Sequence, residues 1–102
     1  MKKISIYKLA GAFAENKDIA RDIRMNEIIP SLNKNGEVIL DFEQVDAATQ
    51  SFIHALISDL LRKFGVEILD RIAFKSCSEN VKKIIGIVVN YMQEGIGDDD
   101  HD

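Results

Sequence analysis

The chain has 102 residues, of which 46% are hydrophobic and 29% charged, the balance of a single soluble globular domain. Its single cysteine excludes a disulfide framework and a thiolate zinc cluster, and no apolar run approaches the roughly 20 residues of a membrane-spanning helix. The net charge of −4 comes from four aspartates in the last five residues, so the rest of the chain is neutral and lacks the basic surface that nucleic-acid binding requires.

The first third of the chain begins with a strand pattern and continues with a helix pattern. Alternating polar and apolar residues predict a strand over Lys2–Tyr7, and residues 8–16 are compatible with either a short edge strand or a loop. A helical spacing begins at Asn16, and either Asn16 or Asp18 could cap this helix. Proline lacks an N–H group, so Pro30 is expected to interrupt or end this helix.

A turn and a buried strand follow. The sequence Asn33–Gly36 is typical of a turn. The β-branched run Glu37–Phe42 is typical of a buried central strand.

The clearest element of the sequence is an amphipathic helix that begins near Thr49 or Gln50 and ends at Gly65, a C-cap glycine. Ser58 belongs to the polar side of this predicted helix. The apolar positions form two adjacent columns on the other side: Phe52, Ile53, Leu56, Ile57, Leu60, Leu61 and Phe64.

The last third predicts a strand, a helix and a tail. The strand prediction covers Val66–Phe74, and Ser76-Cys77-Ser78-Glu79 matches the capping box that opens a helix. This helix is expected to stop at Gly95 or Gly97. We therefore assign the domain to residues 1–95 and a disordered acidic tail to residues 96–102. Strands that alternate with helices in this way predict an α/β fold with right-handed crossovers.

Several side chains suggest chemistry, but none forms a complete catalytic motif. Ser51 and His54 are neighbours at i, i+3, yet no third residue type in the pattern would orient them for nucleophilic attack. Asp41, Glu43 and Asp46 follow the central strand, where α/β sheets often bind ligands. No phosphate-binding glycine loop accompanies these carboxylates, so we interpret them as loop and capping acids. We expect no cofactor and no metal site.

The segment Val38-Ile39-Leu40-Asp41-Phe42-x-x-Val45, followed by Thr49-Gln50-Ser51-Phe52-Ile53 at a helix start, resembles a STAS-like family of unknown function (DUF4325). The resemblance spans nearly the whole chain and is strongest from residue 36 to about residue 92. It implies a STAS-like fold in which a small sheet is covered mainly on one side by helices.

The resemblance also implies a role in signalling. In the related STAS domains of anti-sigma-factor antagonists, the helix opens with Asp-Ser-Ser-Gly, and a partner kinase phosphorylates the first serine. Here Gln50 stands at that serine and cannot accept phosphate, whereas Thr49 and Ser51 each carry a hydroxyl at a helix N-terminus, where phosphate is favoured.

The resemblance therefore leads us to expect a non-catalytic protein–protein interaction module, and the single cysteine gives a cytoplasmic location as the default. Its partner would be a histidine-kinase-like ATPase or another anti-sigma-type regulator, with no nucleic acid and no membrane involved. The expected docking residues are Asp46, Thr49, Gln50, Ser51 and His54, and the possible phospho-acceptors are Thr49 and Ser51.

Two alternatives remain open from the sequence. The chain could be a small enzyme or ligand-binding domain that uses Asp41, Ser51 and His54, in which case a deep pocket should lie beside these residues. It could instead be a constitutive homodimer, because apolar residues such as Ile87 and Tyr91 fall on the outer side of the last predicted helix.

Overall fold

The β-branched run after the turn forms the middle strand of a small parallel sheet. The computed structural model describes residues 1–98, and its elements follow in this order: β1 (Lys2–Ser5), α1 (Ile6–Ala10), β2 (Phe13–Ala14), α2 (Lys17–Ile23), a π-helical segment (Arg24–Ile28), α3 (Ile29–Asn33), β3 (Val38–Asp41), β4 (Ala47–Ala48), α4 (Gln50–Phe64), a 3₁₀ helix (Val66–Arg71), β5 (Ile72–Lys75) and α5 (Glu79–Asp98).

The main sheet has the strand order β1-β3-β5, and its three strands are parallel. Parallel neighbours require crossover connections, which α2 to α3 and then α4 provide. Helix α4 packs between α2 and α5, so these helices form one layer over one face of the sheet. The predicted α/β fold, with a small sheet covered mainly on one side by helices, is confirmed.

The core lies between that helical layer and the sheet. Its largest fully buried side chains come from β3, from the start of α4 and from the helical stretch before β3, and include Leu40, Phe42, Phe52, Leu56, Ile28 and Leu32. The opposite face of the sheet is more open, because Ile39 is half-buried and Ala73 beside it is exposed.

Pro30 does not end the second helix, but the regular α-helix is interrupted by a π-helical segment directly before α3, which contains Pro30. Residues 17–33 form one helical stretch, in which the N–H of Ile29 donates to the carbonyl of Arg24, five residues earlier. Pro30 then stands in the first turn of α3, where a missing N–H costs nothing. The wide π turn therefore lets the helix continue past a proline. Of the two predicted caps, Asn16 is the one that the structure shows.

The prediction for α4 is confirmed at both ends. Thr49 is the N-cap, and Gly65 ends the helix with a φ of 86°, a conformation that favours glycine. All the apolar positions of the two columns are buried except Phe64, which packs against the core. Ser58, expected on the polar side, is buried as well.

The predicted strand over Val66–Phe74 is wrong in its first part. Residues Val66–Arg71 form a 3₁₀ helix, and only Ile72–Lys75 pair with β3. Val66 and Ile68 stand at alternate positions, but Leu69 breaks the alternation, so the apolar residues of the first part would not line one face of a strand. The Arg71 guanidinium also fixes the connection, since it donates to the carbonyls of Leu32 and Gly36 at 2.7–3.1 Å.

Two further segments differ from the sequence prediction in detail. Residues 8–16, left open between an edge strand and a loop, contain the end of α1 and the short strand β2, which pairs with β4. The last helix is capped by Ser78, whose Oγ accepts from the N–H of Val81, and not by Ser76. Helix α5 extends to Asp98, and the predicted disorder of residues 99–102 lies outside the described residues.

Candidate functional site

The segment that carries the expected docking residues is fixed by backbone hydrogen bonds on one side and by α5 on the other. The N–H groups of Asp46 and Thr49 donate to the carbonyls of Ala12 and Ala14 at 2.8 and 3.0 Å. The N–H of Ala48 donates to Asn80 Oδ1 at 3.0 Å. This bracing fixes the position at which α4 begins.

Thr49 has a structural role as the N-cap of α4. It is half-buried, and its Oγ1 accepts a hydrogen bond from the N–H of Phe52 at 3.1 Å. The bond satisfies one of the N–H groups that a helix start leaves without an intrahelical partner. The Thr49 hydroxyl is therefore already engaged in holding α4.

Gln50, Ser51 and His54 face a broad groove of about 610 Å³ that is open to solvent. Gln50 and Ser51 are exposed and occupy the first two positions of α4, where the helix N-terminus carries partial positive charge. The remaining lining comes from Ala55, from Lys17 at the start of α2, and from Val88 and Tyr91 of α5.

Lys17 and Tyr91 were not expected at this site. They come from helices distant in sequence, and only the packing of α2 and α5 against α4 brings them to the groove. Tyr91 is 63% exposed, and an exposed aromatic side chain beside polar groups is typical of binding surfaces. Its place on the outer side of the last helix was the only signal in the sequence.

Asp41 lies in a different cavity from Ser51 and His54. This second cavity, of about 460 Å³, opens at the carboxyl ends of β1 and β3 and is lined by Lys3, Ser5, Tyr7, Lys8, Asp41, Glu43 and Gln44. The Asp41 carboxylate is 3.6 Å from Lys3 Nζ and accepts from the N–H of Glu43 at 3.0 Å.

The three residues of the enzyme alternative are thus divided between two cavities. Within residues 1–98, no hydrogen bond joins the Ser51 hydroxyl to the His54 imidazole, and no three His, Cys, Asp or Glu side chains form a group that could hold a metal ion. None of the helices in the described part of the chain has the length and hydropathy needed to cross a membrane.

The arrangement defines a small α/β domain with a STAS-like fold and an open, polar groove at a helix start. A family model described as a STAS-like domain of unknown function (DUF4325) matches residues 25–82, more than half of the chain. The chain therefore belongs to this family. No curated protein and no solved structure matches it significantly.

Proposed function

We propose that the protein is a non-catalytic docking module of the cytoplasm that acts in the manner of anti-sigma-factor antagonists. Its partner in this proposal is a histidine-kinase-like ATPase or another anti-sigma-type regulator. The docking surface comprises Asp46, Thr49, Gln50, Ser51 and His54, extended by Lys17 and Tyr91 across the groove.

The observation that carries the proposal is the exposed hydroxyl of Ser51 in the first turn of α4, beside an open groove. A phosphate at this position would add about 1.5–2 negative charges next to the positive end of the helix. It would change the charge that a partner meets without unfolding the domain. An open groove also fits a protein partner better than a small substrate, which enzymes enclose in deeper pockets.

Ser51 is a better phospho-acceptor in this proposal than Thr49. The Ser51 side chain is exposed, whereas Thr49 is half-buried and its oxygen already accepts from Phe52. A kinase needs the hydroxyl to project into its own active site, so the cap must be broken before Thr49 can be modified.

The test is an affinity purification of tagged protein from its native host, with mass spectrometry of both the co-purified proteins and the phosphorylated residues. Recovery of a histidine-kinase-like ATPase with phosphate on Ser51 supports docking and the switch. Recovery of the ATPase without phosphate supports docking and refutes the switch. If light scattering instead shows a stable homodimer and no partner is recovered, the docking proposal fails.

Variants then locate the surface on the recovered partner. We expect Ser51→Asp to change the partner's affinity by about tenfold, the effect of one charge placed against a complementary or repelling group. The matched control is Asn33→Asp, which adds the same charge at the opposite end of the sheet, at the exposed last residue of α3. Equal effects of the two variants would mean that net charge, and not this groove, controls binding.

A further inference from the structure

A further groove, distinct from the groove at Ser51 and from the Asp41 cavity, lies between helix α5 and strand β5, and we call it the β5–α5 groove. It has a volume of about 440 Å³ and is mainly apolar, with Leu69, Ile72 and Phe74 on one wall and Ile85, Gly86 and Val89 of α5 on the other. Ile85 and Ile72 are 8% and 6% exposed, the highest values among the core residues that the structure describes. The hydrophobic core is thus incompletely covered at this groove.

Part of the outward-facing backbone of β5 has no strand partner along the same groove. Lys75 accepts from the N–H of Phe42 through its carbonyl at 2.8 Å, so its polar backbone groups point toward β3. Backbone direction alternates along a strand, and therefore those of Ile72 and Phe74 point away from β3. Within residues 1–98, β5 pairs with β3 alone. The N–H of Ile72 donates to the carbonyl of Leu69, so the outward groups that remain for another strand are the carbonyl of Ile72 and both the N–H and the carbonyl of Phe74.

The other edge of the sheet, at β1, is built differently. The two residues whose backbone groups point outward there are Lys3 and Ser5, because Lys2 donates its N–H to Glu37 of the neighbouring segment. Lysine on an edge strand discourages pairing with another chain. An apolar groove beside an open edge, by contrast, is the geometry by which a domain binds an extended peptide through strand addition.

We propose that this β5–α5 groove binds an extended segment of a partner protein, which pairs with Ile72 and Phe74 as an added strand. The segment carries apolar side chains at alternate positions, which enter the groove, and an acidic residue that meets Lys82 at its rim. A second copy of the chain fits less well, because pairing two β5 strands would bring Lys75 and Lys82 of both copies into one interface.

Gly86 provides the variant that tests the groove without damaging the fold. A Cβ atom at Gly86 would meet nothing within 4 Å, so a larger side chain there occupies the groove and not the core. Leucine also has a higher helix propensity than glycine. We expect Gly86→Leu to fold at least as stably as the wild type and to lose peptide binding. Asn90→Leu, on the exposed part of the same helix, is the control.

The probe is the peptide Glu-Val-Thr-Val-Thr-Val-Glu at about 1 mM, a concentration that saturates a site with a Kd below about 0.1 mM. Two readouts are used. The first is the alkylation rate of Cys77, the only cysteine of the chain, which lines the groove. The second is the amide chemical shifts of Ile72 and Phe74. The control peptide has the same side chains and N-methylated amides at alternate residues, so it cannot complete the strand pairing.

We expect the peptide to slow Cys77 alkylation by about fivefold or more and to shift both amide signals, in the wild type and in Asn90→Leu only. We also expect Lys82→Glu to weaken binding by about tenfold and to bind a peptide with lysine at both ends instead. Equal protection by the N-methylated peptide, equal binding by Gly86→Leu, or no protection of the wild type would overturn the proposal. So would a wild-type dimer that Gly86→Leu dissociates, since the occupant would then be a second copy.

Discussion

Replacing Thr49 with alanine should separate the structural role of this residue from any role in partner binding. The change removes the oxygen that accepts from the N–H of Phe52 at 3.1 Å and leaves the backbone bond from Thr49 to Ala14 in place. The substitution therefore alters only the capping hydrogen bond at the N-terminus of α4. The helix itself supplies much of the core through Phe52, Leu56 and Leu60, all fully buried.

The expected loss is about 1–2 kcal/mol of unfolding free energy, because the capped N–H is only partly exposed and water replaces the lost acceptor poorly. For a domain of this size, each kcal/mol lowers the Tm by about 4–8 °C. Thr49→Ser and Thr49→Asp keep an acceptor at the same position, so both should stay within about 0.5 kcal/mol of the wild type.

Urea denaturation followed by far-UV circular dichroism measures the effect, with an unchanged m-value as the sign that only stability has altered. Ser51→Ala is the matched control. Ser51 is exposed and lies two residues after Thr49, so the loss of its hydroxyl should change the free energy of unfolding by less than about 0.5 kcal/mol. The reasoning fails if Thr49→Ala is as stable as the wild type, or if Thr49→Asp is as unstable as Thr49→Ala.

Substitutions at three further residues test the packing and the electrostatics. Arg24 is buried and donates to the Ala55 carbonyl at 2.6 Å, so Arg24→Met, which keeps the volume, should cost less than about 1.5 kcal/mol and Arg24→Ala about 2–5 kcal/mol by urea denaturation. Gly65→Ala should cost about 1–2 kcal/mol by the same measurement, because alanine is strained at a φ of 86°. Burial raises the pKa of the Cys77 thiol, and Lys82 partly opposes this, so Lys82→Gln should slow iodoacetamide alkylation at each pH between neutrality and the thiol pKa. The contribution of the raised Cys77 pKa to the free energy of unfolding is fully present below the ordinary thiol pKa. It should be lost as the pH rises through the pKa that the thiol has in the folded protein.

The sequence predicted those elements whose signals are local. Helix α4 combines a long apolar periodicity with a capping threonine and a terminal glycine, and its observed bounds agree with these signals. Ser58 shows the limit of such a pattern. Because α4 has a helix on each side as well as the sheet beneath, the buried part of its circumference is wider than the two apolar columns.

The 3₁₀ helix and the candidate site depend on tertiary contacts, which a single sequence does not display. From the sequence alone, the apolar run after Gly65 resembles a strand. Its partner β3 has only four residues to pair with, and Arg71 holds the preceding residues by donating to the Leu32 carbonyl, and neither fact can be read from the run itself. Gln50, Ser51 and His54 were predicted together from the family resemblance at the start of α4. Their neighbour Lys17 comes from another helix and could not be placed beside them from the sequence.

The π-helical segment has a consequence for how the length of this chain can vary. Buried Ala20 and Ile23 precede the segment, buried Ile28 is its last residue, and buried Leu32 follows it. Ile23 and Ile28 are five residues apart, where an α-helix would need a spacing of four. Deleting one residue here would keep both pairs on the core side, but it would place Pro30 in a regular helix interior at a cost of about 3 kcal/mol. We therefore expect a one-residue deletion in this helix to be tolerated only when Pro30 is also replaced. A version of the chain with the shorter helix should accordingly lack this proline.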